Sequence, residues 1–112
     1  MTTPSKRKGN AAERAVANHF RDHGYPYAER TRAGWSNDRG DIDGVPGVCV
    51  EVKAEKQIAL ARYMEELETE IRNARAETGV VIIKRRGVSA VSDWYACAPV
   101  HIWLELLKES GR

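Results

Sequence analysis

The sequence predicts an α/β fold: a single domain with a mixed central β-sheet flanked by helices, its elements in the order α-β-β-β-α-β-β-α. Three observations carry that prediction. Leu60, Met64, Leu67, Ile71 and Ala74 recur at helical spacing. The stretch "VVIIK" at 80–84 is apolar on both faces, the pattern of a central strand covered by helices. Pro46-Gly47, between two short apolar runs, fits the central positions of a type II turn. At 112 residues, 42% hydrophobic and 30% charged, the chain is expected to form one domain around one core.

Each element has its own signal. Residues 1–9 read as a flexible basic arm, and residues 10–112 as the domain. Asn10 is a plausible N-cap, three residues before Glu13 as in a capping box. The first helix then runs to about His23, with Val16 and Phe20 on its apolar face, and Gly24 ends it. "YPYAERTR", Tyr25 to Arg32, reads as a first strand, and Gly34 to Arg39 as a polar loop. Ile42 and Val45 fall in a second strand, and Val48 to Ala54 form the third. The long amphipathic helix spans Ile58 to about Thr78, with Gly79 as its stop. Val80–Lys84 is the next strand, Arg85-Arg86-Gly87 a turn, and "DWYACA", Asp93 to Ala98, the last strand. Pro99 opens a final helix carrying Trp103, Leu104 and Leu107.

Composition excludes several classes. No apolar run approaches the ~20 residues of a membrane span, and no apolar segment follows the basic start, so a cytoplasmic protein is expected. Cys49 and Cys97 sit in apolar strand-like runs without metal-ligand spacing and read as buried reduced thiols. His19, His23 and His101 show no ligand spacing either. Trp94 and Trp103 read as core; Trp35, in a glycine-flanked polar loop, suits base stacking or loop anchoring equally. Net charge is only +2, but residues 1–39 hold eight Lys/Arg against four Asp/Glu, and residues 40–79 five against nine. Basic segments thus flank an acidic middle.

That middle holds the candidate chemistry. Along "VCVEVK", Val48, Val50 and Val52 share one face and Cys49, Glu51 and Lys53 the other. By the same alternation Asp41 and Asp43 point one way. If the turn at Pro46-Gly47 pairs the two strands, Asp41 and Glu51 converge, and two carboxylates that close repel unless a cation or a proton intervenes. Two hard carboxylates with a backbone carbonyl and water suit Mg²⁺ or Mn²⁺, which activate water and polarise phosphate oxygens. A neighbouring lysine then orients the water or offsets charge at phosphorus. Asp-x-Asp and Glu-x-Lys pairs are also common as plain surface charge. Glu13 lies ~60° from Val16 and ~20° from Phe20 around its helix, on the buried side, where an acid wants a partner.

The arrangement resembles the PD-(D/E)XK nuclease superfamily: Gly40-Asp41 stands at its Pro-Asp position and Glu51-Val52-Lys53 at its (D/E)-x-K. "KGNAAERAVANHFRDHGY", Lys8 to Tyr25, is similar to the opening of archaeal-type Holliday junction resolvases, where a Lys-Gly precedes a helix bearing a glutamate. The likeness runs from Lys8 to Val80–Lys84 and weakens after Arg86; proline is replaced by Gly40, and the hairpin is shorter. The resemblance implies a restriction-endonuclease-like nuclease domain over residues 10–112. It implies Asp41 and Glu51 as ligands of Mg²⁺, with Mn²⁺ as substitute, assisted by the Val52 carbonyl and by Glu13, directly or through water. Lys53 would serve the attacking water, and cleavage would leave 5′-phosphate and 3′-hydroxyl ends. Asp43 competes with Asp41 for the metal, and Ser36 corresponds either to a serine near the resolvase site or to an ordinary loop serine. Lys6, Arg7, Lys8, Arg30, Arg32, Arg39, Lys84, Arg85 and Arg86 are the candidate phosphate contacts. The implied partners are branched DNA, specifically a four-way junction, and a second copy of the chain. Two alternatives share the sequence features: a nuclease of the same fold acting on flaps or duplex in repair or restriction, and a non-catalytic DNA-binding module.

Overall fold

The computed structural model describes residues 3–32 and 39–112; Trp35 and Ser36 lie outside the described residues. The first helix, α1, spans Pro4–Asp22, so residues 4–9 are its opening turns and not an arm. Thr3, extended at φ −72° and ψ 158°, is the true N-cap: its hydroxyl accepts the Lys6 N–H at 3.1 Å. Pro4 follows at the first helical position, where its missing N–H costs nothing. Asn10 is therefore interior to the helix. Gly24, at φ +102°, turns the chain away after the helix, as expected.

Strand β1 is short, Glu29–Arg30, because Tyr25 to Ala28 form a turn closed by the Ala28 N–H to the Tyr25 carbonyl. Strand β2 is Ile42–Asp43 and β3 is Val48–Lys53. Between them the Val48 N–H reaches the Val45 carbonyl at 3.1 Å with Gly47 at φ +73°, the geometry of a type II turn with Pro46 leading. Helix α2 covers Leu60–Ala74 and ends on Arg75 in the left-handed region at φ 52°. Gly79 is not its stop. It lies within β4, Thr78–Ile83, where a Cβ would sit 2.8 Å from the Ile71 side chain of α2. A single turn of 3₁₀ helix, Val91–Asp93, leads to β5, Tyr95–Cys97, and α3, Val100–Glu109.

The five strands form one mixed sheet in the order β1-β2-β3-β4-β5. β3 and β4 run parallel, from Val48 opposite Thr78 to Lys53 opposite Ile83, with α2 as their crossover; the other neighbours are antiparallel. Side chains alternate across the two central strands into two cores. Val50, Val52 and Ile82 pack with Ala12, Val16 and Ala17 of α1 on one face. Cys49, Val81 and Ile83 pack with Tyr63 and Leu67 of α2 and Ile102 of α3 on the other. Cys49 is buried and Cys97 half-buried, and neither is in a disulfide bond. Trp94 is buried and donates its indole N–H to the Val88 carbonyl at 2.7 Å. Trp103, expected in the core, is 57% exposed, since α3 turns Ile102 inward instead. Among the described residues no helix is long and apolar enough to cross a membrane.

Candidate active site

The pairing of β2 with β3 is brief, and its ending builds the site. Ile42 faces Val50, and the Asp41 N–H donates to the Val50 carbonyl at 2.8 Å. One step further along β3 the Val52 N–H has no strand to receive it among the described residues. The Asp41 carboxylate takes it, Oδ2 accepting at 2.8 Å. A side chain thus replaces a missing strand and fixes Asp41 against the middle of β3. Gly40 makes the approach possible: at φ +102°, with a would-be Cβ only 3.0 Å from the Cys49 Sγ and the Val50 carbonyl, the position excludes both a side chain and the fixed φ of proline.

Beyond this point the sheet edge opens into a cleft of about 660 Å³ that reaches from α1 to α2. Glu13 of α1, Asp41, Glu51, Val52 and Lys53 of β3, and Glu66 and Glu70 of α2 all line it. The structure therefore brings together Glu13, Asp41, Glu51 and Lys53 from three separate segments. Asp43 does not join them. Asp41 precedes the strand, so the two aspartates escape the expected alternation. Asp43 lines a different hollow, paired to Arg39 at 3.1 Å and accepting the Thr31 hydroxyl at 3.3 Å.

Glu51 is the most perturbed group. Its side chain is on the α2 face of β3, and the residue is only 4% exposed. Burial, then hydrogen bonds and charge repulsion from the Asp41 and Glu70 carboxyls, push its pKa up to about 12. Without a cation the cluster is held together by a proton. Glu13 is also raised, first by burial and then by the charge of Asp41, while its 3.0 Å ion pair with Arg30 works the other way. Burial acts to lower the Lys53 ammonium, but its 2.8 Å hydrogen bond to Glu66 and the charges of Glu51, Glu66 and Glu55 outweigh this and raise it. The bond to Glu66 thus holds Lys53 as a cation and hydrogen-bond donor. Glu66 is lowered chiefly by that same bond to Lys53.

Sequence reasoning missed two of these groups. Glu70, 3% exposed, occupies a core position of α2 beside Tyr63 and Leu67. Its signal was the spacing 63, 67, 70 on one helical face, masked because an acid stood at the third position. Glu66, one turn earlier, positions Lys53.

The basic candidates divide. Lys8, Lys84, Arg85 and Arg86 line a second cleft of about 360 Å³, together with Lys56 and Tyr95, which the sequence did not single out. The two clefts adjoin, sharing Lys8, Ala54, Glu55 and Lys56 in their walls. Arg30 is engaged with Glu13 and with Asn10 at 2.9 Å, and Arg39 with Asp43. Lys6, Arg7 and Arg32 are exposed away from both clefts.

Among the described residues no three His, Cys, Asp or Glu side chains form a group placed to hold a metal ion. The expected set is Asp41 and Glu51 with the Val52 carbonyl, joined by Glu13 directly or through water; among the described residues Glu13, Asp41 and Glu51 line one cleft but are not grouped to hold an ion together. The chemistry of that set fits a hard divalent cation: oxygen donors whose mutual repulsion already demands a compensating positive charge. Compared with protein-family models, with curated proteins and with solved structures, the chain matches none.

Proposed function

We propose that this chain is a metal-dependent endonuclease of the restriction-endonuclease-like kind, and that its substrate is branched DNA, a four-way junction in particular. The observation that carries the reading is the buried Glu51 carboxyl held against Asp41 in a cleft also lined by Glu13 and Lys53. Asp41, Glu51 and the Val52 carbonyl would hold Mg²⁺ or Mn²⁺, with Glu13 assisting. When bound, the ion supplies the Lewis acidity that activates water and offsets charge at phosphorus.

The chain's own residues do the rest. Asp41 is pinned by the Val52 N–H, so one of the two carboxylates is positioned in advance. Lys53, charged and held by Glu66, presents a donor to a phosphate oxygen or to the attacking water. The adjoining basic cleft offers Lys8, Lys56, Lys84, Arg85 and Arg86 to the backbone next to the scissile phosphate. Contacts of this type read shape and charge, which suits a branched substrate.

The test compares a synthetic immobile junction, a flap and a linear duplex, each with and without Mg²⁺. Paired symmetric nicks confined to the junction and dependent on Mg²⁺ are expected. Equal cutting of flap or duplex would move the substrate to the wider class, and binding without any cutting would reduce the protein to a DNA-binding module.

A further inference from the structure

The basic cleft beside the acidic one holds more than charge. It is a hollow of about 360 Å³, large enough for one small ligand, whereas a surface that only follows a phosphate chain needs no depth. Among the described residues Lys8, Lys56, Arg85 and Arg86 take part in no ion pair, so their charge is available to a ligand. The one acid in the wall, Glu55, is already engaged, accepting from Arg62 at 2.7 Å and from the Tyr63 hydroxyl at 3.0 Å. Ala54, Ile58 and Tyr95 supply an apolar and aromatic wall, with Ile58 55% exposed and Tyr95 46%. The cationic turn is fixed in place. The Val88 N–H closes it on the Arg85 carbonyl at 3.1 Å with Gly87 at φ +75°, and the buried Trp94 fastens it through its indole N–H to the Val88 carbonyl at 2.7 Å. Arg85 and Arg86 therefore project from a backbone that is ordered in advance.

Cations around an aromatic wall match the two halves of a nucleotide: its phosphate, and the face of its base. A base that is paired and stacked inside a duplex offers no such face. We infer that this cleft takes one nucleotide turned out of the helix at the branch point, its base on Tyr95 and Ile58 and its phosphate on Arg85, Arg86 and Lys8. Tyr95 is then the residue that separates branched or unpaired DNA from continuous duplex, because a base without a partner leaves the stack at the least cost. Its placement suits the chemistry. Ala54, directly after Lys53, lines both clefts, and the Lys84 N–H donates to the Lys53 carbonyl at 2.9 Å. The displaced nucleotide thus lies next to the phosphate that is cut. That the nucleotide belongs to DNA rests on the nuclease reading; the place and polarity of the cleft rest on the geometry alone.

Equilibrium binding in chelator tests it without any cleavage. One immobile four-way junction carries a single unpaired adenine at its branch point, and a second carries an abasic residue there, so the two differ by the base and not by charge. Wild type should bind the adenine form about tenfold more tightly, the scale of one base–aromatic stack. Tyr95→Leu should bring the two affinities together, and Tyr95→Phe should restore the ratio. Added salt should weaken both complexes and leave their ratio unchanged. Equal affinity of wild type for the two junctions overturns the inference with no variant needed, as does a ratio that survives Tyr95→Leu, or no binding to either. A tenfold preference in a protein that cuts nothing with Mg²⁺ would uphold this inference and sink the active-site reading. Mg²⁺-dependent nicking without the preference would do the reverse.

Discussion

The Glu51 carboxyl ties stability to pH. It ionises near 4.5 when exposed and at about 12 in the fold, so the folded chain binds one more proton across the whole interval. Without a divalent ion, that contribution is complete below pH 4.5 and is lost as pH rises towards 12. Glu13 adds in the same sense; Glu66, held low by Lys53, acts oppositely, its contribution being lost only as pH falls below 4.5. Thermal melts in chelator should therefore show the protein less stable at about pH 8 than at about pH 5.5, by ~1 kcal/mol per pH unit for one proton. Glu51→Gln keeps the buried hydrogen bonds without the charge. It should raise the melting temperature at the higher pH and flatten the dependence; an unchanged slope would assign the perturbation elsewhere. Mg²⁺ should stabilise the wild type most at high pH, where it replaces the proton.

At the scale of elements, α2 joins the site to the core. Gly79 lets β4 approach it: a Cβ there meets the Ile71 side chain at 2.8 Å and the Cys49 carbonyl at 3.0 Å. Gly79→Ala should destabilise the fold by about 2 kcal/mol, read as a shifted denaturant midpoint; a stability equal to wild type would mean α2 moves aside freely. This glycine also shows where sequence patterns stop short. Next to a helical run it reads as a terminator, whereas the real terminator is Arg75 in a left-handed conformation that its residue type does not advertise. The apolar series through Leu60 and Met64 located α2 but rotated its face, because the buried side is completed by Tyr63 and the acid Glu70. β3, the Pro46-Gly47 turn that leads into it and most of β4 were legible, since alternation, Pro-Gly chemistry and a run apolar on both faces are local signals. The start of α1 was hidden because Thr3 and Pro4 precede a run of lysine and arginine that resembles an unstructured tail.

Across the whole molecule, charge is laid out in two adjoining clefts, acidic at the open sheet edge and basic beside it. Strand alternation and the turn brought Asp41, Glu51 and Lys53 forward as a group, and Glu13 joined them through the resemblance of its helix to the resolvase opening. Neither supplied Glu66, Glu70 or Lys56, whose roles exist only once distant segments meet. If the basic cleft tracks a DNA backbone, Arg85→Ala and Arg86→Ala should each weaken junction binding at low salt and reduce the steepness of its salt dependence by about one unit. A slope unchanged in both would place the DNA elsewhere. The claim on which the rest depends is that the buried acids serve a divalent ion in phosphodiester cleavage. Single-turnover cleavage of an immobile four-way junction by wild type and by Glu51→Gln, in saturating Mg²⁺, tests it most directly. The account predicts cutting by the wild type and a loss of about a hundredfold or more in the variant with junction binding retained; equal rates for the two would contradict it.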